Sequence, residues 1–109
     1  MALQHAGPGE VVDLGPLGDR LADARTMALV KTRSFEAVRL IVPKGKVIPS
    51  HQTPGAITLH CLEGRVLLDL GTSQVELAAG HWVFLEGGAP HSVEAMETSS
   101  LLLTILLPA

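Results

Sequence analysis

The sequence predicts an all-β fold, a small barrel or sandwich of two antiparallel sheets, and three observations carry that prediction. Short apolar runs recur at even spacing beyond residue 26, separated by a chain-wide total of 11 glycines and 7 prolines, the punctuation of short strands joined by turns. Several runs alternate with period two. Val66, Leu68 and Leu70 share one face of 65–70, and Val75 and Leu77 oppose Gln74 and Glu76, so one face of each strand turns to a core and the other toward water. Helical patterning is confined to GDRLADA at 18–24, enough for a single turn.

In chain order, strands are expected at 11–14, 27–32, 35–42, 46–48, 57–62, 64–70, 73–77, 81–85, 91–95 and 100–107. The first belongs, with the helical turn, to an N-terminal arm at 1–26; the barrel runs from 27 to 109. Leu70-Gly71-Thr72-Ser73 links two alternating strands. Glu86-Gly87-Gly88-Ala89-Pro90 supplies glycines able to take positive φ before a proline of fixed φ. The last run, SLLLTILL, is apolar on both faces, which requires a central place in a sheet or a covering partner.

A chain of 109 residues is expected to form one domain. It is 47% hydrophobic and 17% charged, with mean hydropathy +0.35. That apolar excess predicts surface buried against a partner, most simply a second copy in a homodimer. A net charge of −3 leaves no basic footprint for nucleic acid. The run LLLTILL is far shorter than the ~20 residues that span a bilayer, so no membrane segment is expected. Cys61, the single cysteine, cannot make an intrachain disulfide, and MALQHAGPGE lacks the charged and apolar regions of a secretory signal. A reducing, cytoplasmic location is expected, with Cys61 a buried apolar residue rather than a nucleophile.

Two histidines stand in similar turn settings, His51 in KVIPSHQTPG and His91 in GGAPHSVEA. The stretch from Gly45 to Gly64 resembles the first motif of the cupins, G-x5-H-x-H-x3-4-E-x6-G, with Gly45, His51 and the closing Gly64 in place. The second cupin motif, G-x5-P-x-G-x2-H-x3-N, is matched at Gly80, Gly88 and His91; Glu86 replaces its proline and Ala95 its asparagine. The resemblance implies a cupin, or jelly-roll, barrel: a small double-stranded β-helix, often homodimeric, with a small-molecule pocket in its mouth.

The resemblance also implies a metal site, and here the sequence departs from the pattern. Position by position, the first ligand histidine is His51 and the last is His91, but the second falls on Thr53 and the carboxylate on Ile57. A transition-metal site generally needs three protein donors. His60 is the remaining candidate, yet strand parity sets it opposite Ile57, Leu59 and Cys61 unless a bulge intervenes. His81 reads as a surface histidine.

Two functions follow. In the first, the chain is a small-molecule-binding cupin whose pocket centres on His51 and His91, with Thr53, Ile57, Leu59, Val66, Leu68 and one of Trp82 or Phe84 around them; parity leaves open whether Trp82 and Phe84 or Val83 and Leu85 face inward. In the second, a divalent metal (Fe, Mn, Zn, Ni or Cu) on His51 and His91 serves an oxygenase or isomerase. A barrel kept mainly for dimerisation is a third reading. The absence of tyrosine argues against the epimerase chemistry of sugar-modifying cupins, and Ile57 against a manganese enzyme of the oxalate-oxidising type. Arg39, Lys44 and Lys46 read as a small basic cluster, at a protected hairpin edge or for an anionic ligand.

Overall fold

The computed structural model describes residues 5–108, and at Ser50 and His51 the backbone alone. A 3-10 helix, Gly18–Asp23, precedes nine strands: β1 (Met27–Lys31), β2 (Phe35–Val42), β3 (Val47–His51), β4 (Ile57–Glu63), β5 (Arg65–Asp69), β6 (Gln74–Ala78), β7 (Trp82–Leu85), β8 (His91–Ala95) and β9 (Ser99–Leu106). They form two antiparallel sheets, ordered β1-β2-β9-β4-β7 and β3-β8-β5-β6. The fold is an all-β barrel of the jelly-roll kind.

The period-two strands meet between the sheets. From the first sheet Val42, Ile57, Leu59, Cys61, Leu85 and Leu101 enter one core cluster; from the second come Val66, Leu68, Leu77, Val93 and Ala95. The two-faced run at 100–107 explains its own position: β9 lies at the centre of the five-stranded sheet, paired to β2 along its whole length and to β4 on the other side. Leu101 is fully buried in the core, while Leu102 and Thr104 occupy the outer face.

Residues 11–14 do not form the expected strand. They are mostly apolar, but no strand pairs with them, and Val11 is 95% exposed. The arm instead crosses the outer face of the five-stranded sheet, tied by Ala6 N–H to Leu29 O at 2.7 Å and by Arg39 Nη2 to Gly15 O at 3.0 Å. Among the described residues no helix is long and apolar enough to cross a membrane.

Candidate functional site

The site is built where β3 meets β8. Gly45 N–H donates to Ala95 O (2.8 Å) and Ala95 N–H to Lys46 O (3.0 Å), which starts the pairing. Val47 then faces Glu94, and Ile48 faces Val93; the register slips before His51 comes opposite His91. Pro49 falls inside β3, where its missing N–H is tolerated because β3 is an edge strand and the slip lies there. The His51 side chain lies outside the described residues.

His91 is 3% exposed and follows the parity of Val93 and Ala95, which places it on the core face of β8. Its Nδ1 is 3.2 Å from Ala89 O. A carbonyl only accepts, so Nδ1 carries a proton and donates it to Ala89 O. Two loops close over this end of the barrel. Gly88 N–H donates to Thr53 O at 2.7 Å, and a Cβ on Gly87 would run into Pro54 O. Glycine is therefore required at 87 by close approach and favoured at 88 by φ of +81°.

The four positions of the usual cupin ligand set do not supply four donors. Thr53 spends its hydroxyl on Gly55 O at 2.9 Å, and Ile57 is 2% exposed inside the core cluster. His60 pairs in register with Trp82 and Leu102 on the outer face, away from Leu59 and Cys61. Among the described residues no three His, Cys, Asp or Glu side chains are grouped so as to hold a metal. The donors described do not fit a three-ligand metal centre.

Ile57, Leu59, Val66 and Leu68 are packed in the core. Trp82 and Phe84 are not with them: they are 59% and 51% exposed, and Val83 and Leu85 are the inward pair. This corrects the expectation that one of the two aromatics lines the pocket. The cause is register, since Trp82 opposes His60 and Phe84 opposes Thr58 on the outer face of β4. His81, exposed, accepts Ala78 N–H on Nδ1 at 3.0 Å and caps the turn from β6 to β7. Burial pushes the Cys61 thiol up, and the Glu97 carboxylate adds to the effect, which favours the protonated thiol.

The basic cluster of Arg39, Lys44 and Lys46 does not form. Lys44 and Lys46 are exposed around the turn after β2. Arg39 is buried and donates through Nε to Ser100 Oγ (2.8 Å), with Nη2 3.8 Å from Glu63 Oε1. Glu63 also accepts the N–H groups of Leu17 (2.7 Å) and Gly18 (3.1 Å). This latch between arm and barrel joins residues far apart in sequence, and only Glu63, beside the motif glycine Gly64, carried any local signal.

A protein-family profile described as the Cupin domain matches residues 38–106. No curated protein matches the chain at a significant level. Among solved structures, a conserved protein of unknown function from Streptococcus pyogenes is similar at 20% identity and TM-score 0.75, over 100% of this chain and 99% of that one. A cupin superfamily protein from Desulfitobacterium hafniense has 12% identity and TM-score 0.78, over 99% and 100%. The DMSP lyase DddQ from Ruegeria pomeroyi has 22% identity and TM-score 0.67, over 76% of this chain and 46% of that one. At these identities the likeness speaks to the fold.

Proposed function

Because the chain belongs to the cupin family, we propose that it is a small-molecule-binding barrel whose ligand is held at the end marked by His51 and His91. The supporting observation is their register: the backbone positions of His51 and His91 are directly opposed in the β3–β8 pair. A ligand bonded to the buried His91 is thereby brought to the His51 position. Ile57, Leu59, Val66 and Leu68 already fill the interior, so the ligand seats above them, beneath the loops joined by Thr53 and Gly88. Binding needs no metal: the two imidazoles of His51 and His91 together can bond a ligand carboxylate, hydroxyl or carbonyl and exchange a proton with it.

The test is ligand-observed NMR with a panel of small hydroxy and keto acids, repeated on His91→Ala and His51→Ala. The reading expects hits that both substitutions weaken; hits that ignore both would overturn it. A metal-dependent enzyme is the second reading, supported by the opposed register of the two motif histidines His51 and His91. It requires a third donor, and elemental analysis near one transition-metal ion per chain would select it. We also propose a homodimer, supported by the mean hydropathy of +0.35 and by exposed Trp82 and Phe84 on one sheet face. Light scattering of the wild type and of Trp82→Glu tests it, a monomeric wild type being the contrary result.

A further inference from the structure

We propose, on the reading of His91 as a ligand-binding residue, that Thr53 is its positioning residue. Thr53 stands where the cupin pattern has its second ligand histidine, and it clamps the loop whose carbonyl holds the His91 ring. Two loops take part, 52–56 between β3 and β4 and 86–90 between β7 and β8. Both adjoin the two motif histidines, since His51 ends β3 and His91 begins β8.

The contacts run in an unbroken line from the hydroxyl to the ring. Thr53 Oγ1 donates to Gly55 O at 2.9 Å, which braces the first loop against itself. Thr53 O, set by that brace, accepts Gly88 N–H at 2.7 Å. Gly88 is the third residue of a turn closed by Ala89 N–H to Glu86 O at 3.3 Å, and its φ of +81° suits that place. The next carbonyl, Ala89 O, receives the Nδ1–H of His91 at 3.2 Å. Only Gly88 and Ala89 separate the clamp from the imidazole.

The loops have little slack. A Cβ on Gly87 would overlap Pro54 O, and one on Gly55 would overlap Leu106 O of β9. Leu106 N–H in turn donates to Ala56 O at 2.9 Å. The first loop is thereby anchored on the central strand of the five-stranded sheet, and the second rests on the first. A histidine bonded through Nδ1–H to a backbone carbonyl has its ring orientation fixed by that bond and turns Nε2 toward whatever binds. A displacement of Thr53 O therefore reaches the ring atom that a ligand meets, although Thr53 itself touches neither.

The experiment is proton–nitrogen NMR of the imidazole groups in the full chain without ligand. The wild type is expected to show a His91 Nδ1–H signal, assigned by its loss in His91→Ala. Thr53→Val, which keeps the side-chain shape but not the hydroxyl, speeds exchange of that proton with water at least about threefold, the worth of one hydrogen bond; Thr53→Ser restores it. Gly87→Ala, which pushes on Pro54 O from the other loop, speeds it too. His81, bonded to Ala78 N–H in the turn before β7, is the control, and its signals stay unchanged where a general loss of structure would move them. If Thr53→Val fails to fold, Gly87→Ala decides. A His91 Nδ1–H indifferent to the variants that fold, or not restored by serine, overturns the proposal. In the panel of hydroxy and keto acids, those that His91→Ala weakens are weakened at least about threefold by Thr53→Val. Acids that depend on His91 but ignore Thr53→Val sink the positioning role and leave the proposed function standing. A panel without hits sinks the proposed function alone, and the Nδ1–H exchange still decides the role of Thr53.

Discussion

His51 stands opposite His91 only because the β3–β8 ladder slips. Continued unbroken from Ile48 and Val93, the same register would set Ser50 opposite His91. An extra residue in one strand, here beside Pro49, is how a sheet re-aims a position at the rim of a barrel. The two motif histidines are thus brought together by an irregularity of backbone, while the other two ligand positions hold a threonine and an isoleucine.

Restoring those positions provides a direct check. Thr53→His combined with Ile57→Glu rebuilds the ligand set that the cupin resemblance implies. Without metal the double variant melts lower, because a carboxylate replaces a buried isoleucine in the core at a cost of several kcal/mol. Added Mn²⁺ or Ni²⁺ raises its melting temperature and leaves that of the wild type unchanged. A variant indifferent to metal would show that His51 and His91 do not converge on one point.

Gly64 and Gly71 have nearly the same backbone, φ +89° and +86°, in different surroundings. A Cβ at 71 meets nothing within 4 Å, whereas at 64 it runs into Ser99 Oγ and Thr98 O. Gly71→Ala is expected to cost about 1 kcal/mol, the strain of positive φ alone. Gly64→Ala adds steric overlap, for a total of about 2–4 kcal/mol. Urea unfolding separates them, and equal midpoints would contradict this account.

Glu63→Ala releases the arm. It strips the acceptor from two amides and leaves Arg39 buried beside one fewer carboxylate, a loss of about 1–3 kcal/mol. In hydrogen exchange, Leu17 and Gly18 lose protection before any strand of the core does. Unchanged exchange at those two amides would mean that Glu63 does not hold the arm.

Cys61 makes stability depend on pH in a definite direction. Its folded thiol titrates above its unfolded value, through burial first and Glu97 second. Protons therefore leave the unfolded chain first as pH rises. The stabilisation is complete below the unfolded thiol value, ~8.5, and is lost as pH climbs from there through the folded value. Urea midpoints for wild type and Cys61→Ala are expected to converge between about pH 7 and about pH 10, and a constant gap would refute the assignment.

Strand positions were legible because alternation reports a half-buried face, and 27–32 through 100–107 match β1 to β9 closely. The apolar run at 11–14 misled, since its residues lie along a sheet without joining the ladder. Parity grouped Trp82 with Phe84 but did not say which pair faces inward, since that depends on pairing with β4. Spacing marked the two histidines, while the slip that opposes them left no trace in residue type. The Arg39–Glu63–Ser100 latch was hidden for a simpler reason: tertiary pairs leave no local pattern.

The central position of β9 also bears on how the barrel is made. Phe35 waits for Leu106, and Ile57 for Ile105, so the strand that joins the two halves of the five-stranded sheet is the last of the nine to leave the ribosome. Until it arrives, β2 and β4 hold open edges, and Leu59 and Cys61 have no lid. Closure therefore waits for the last strand and is governed by long-range pairing, the slow regime of folding. The nascent barrel is exposed to aggregation and to chaperone capture until its final strand is inserted.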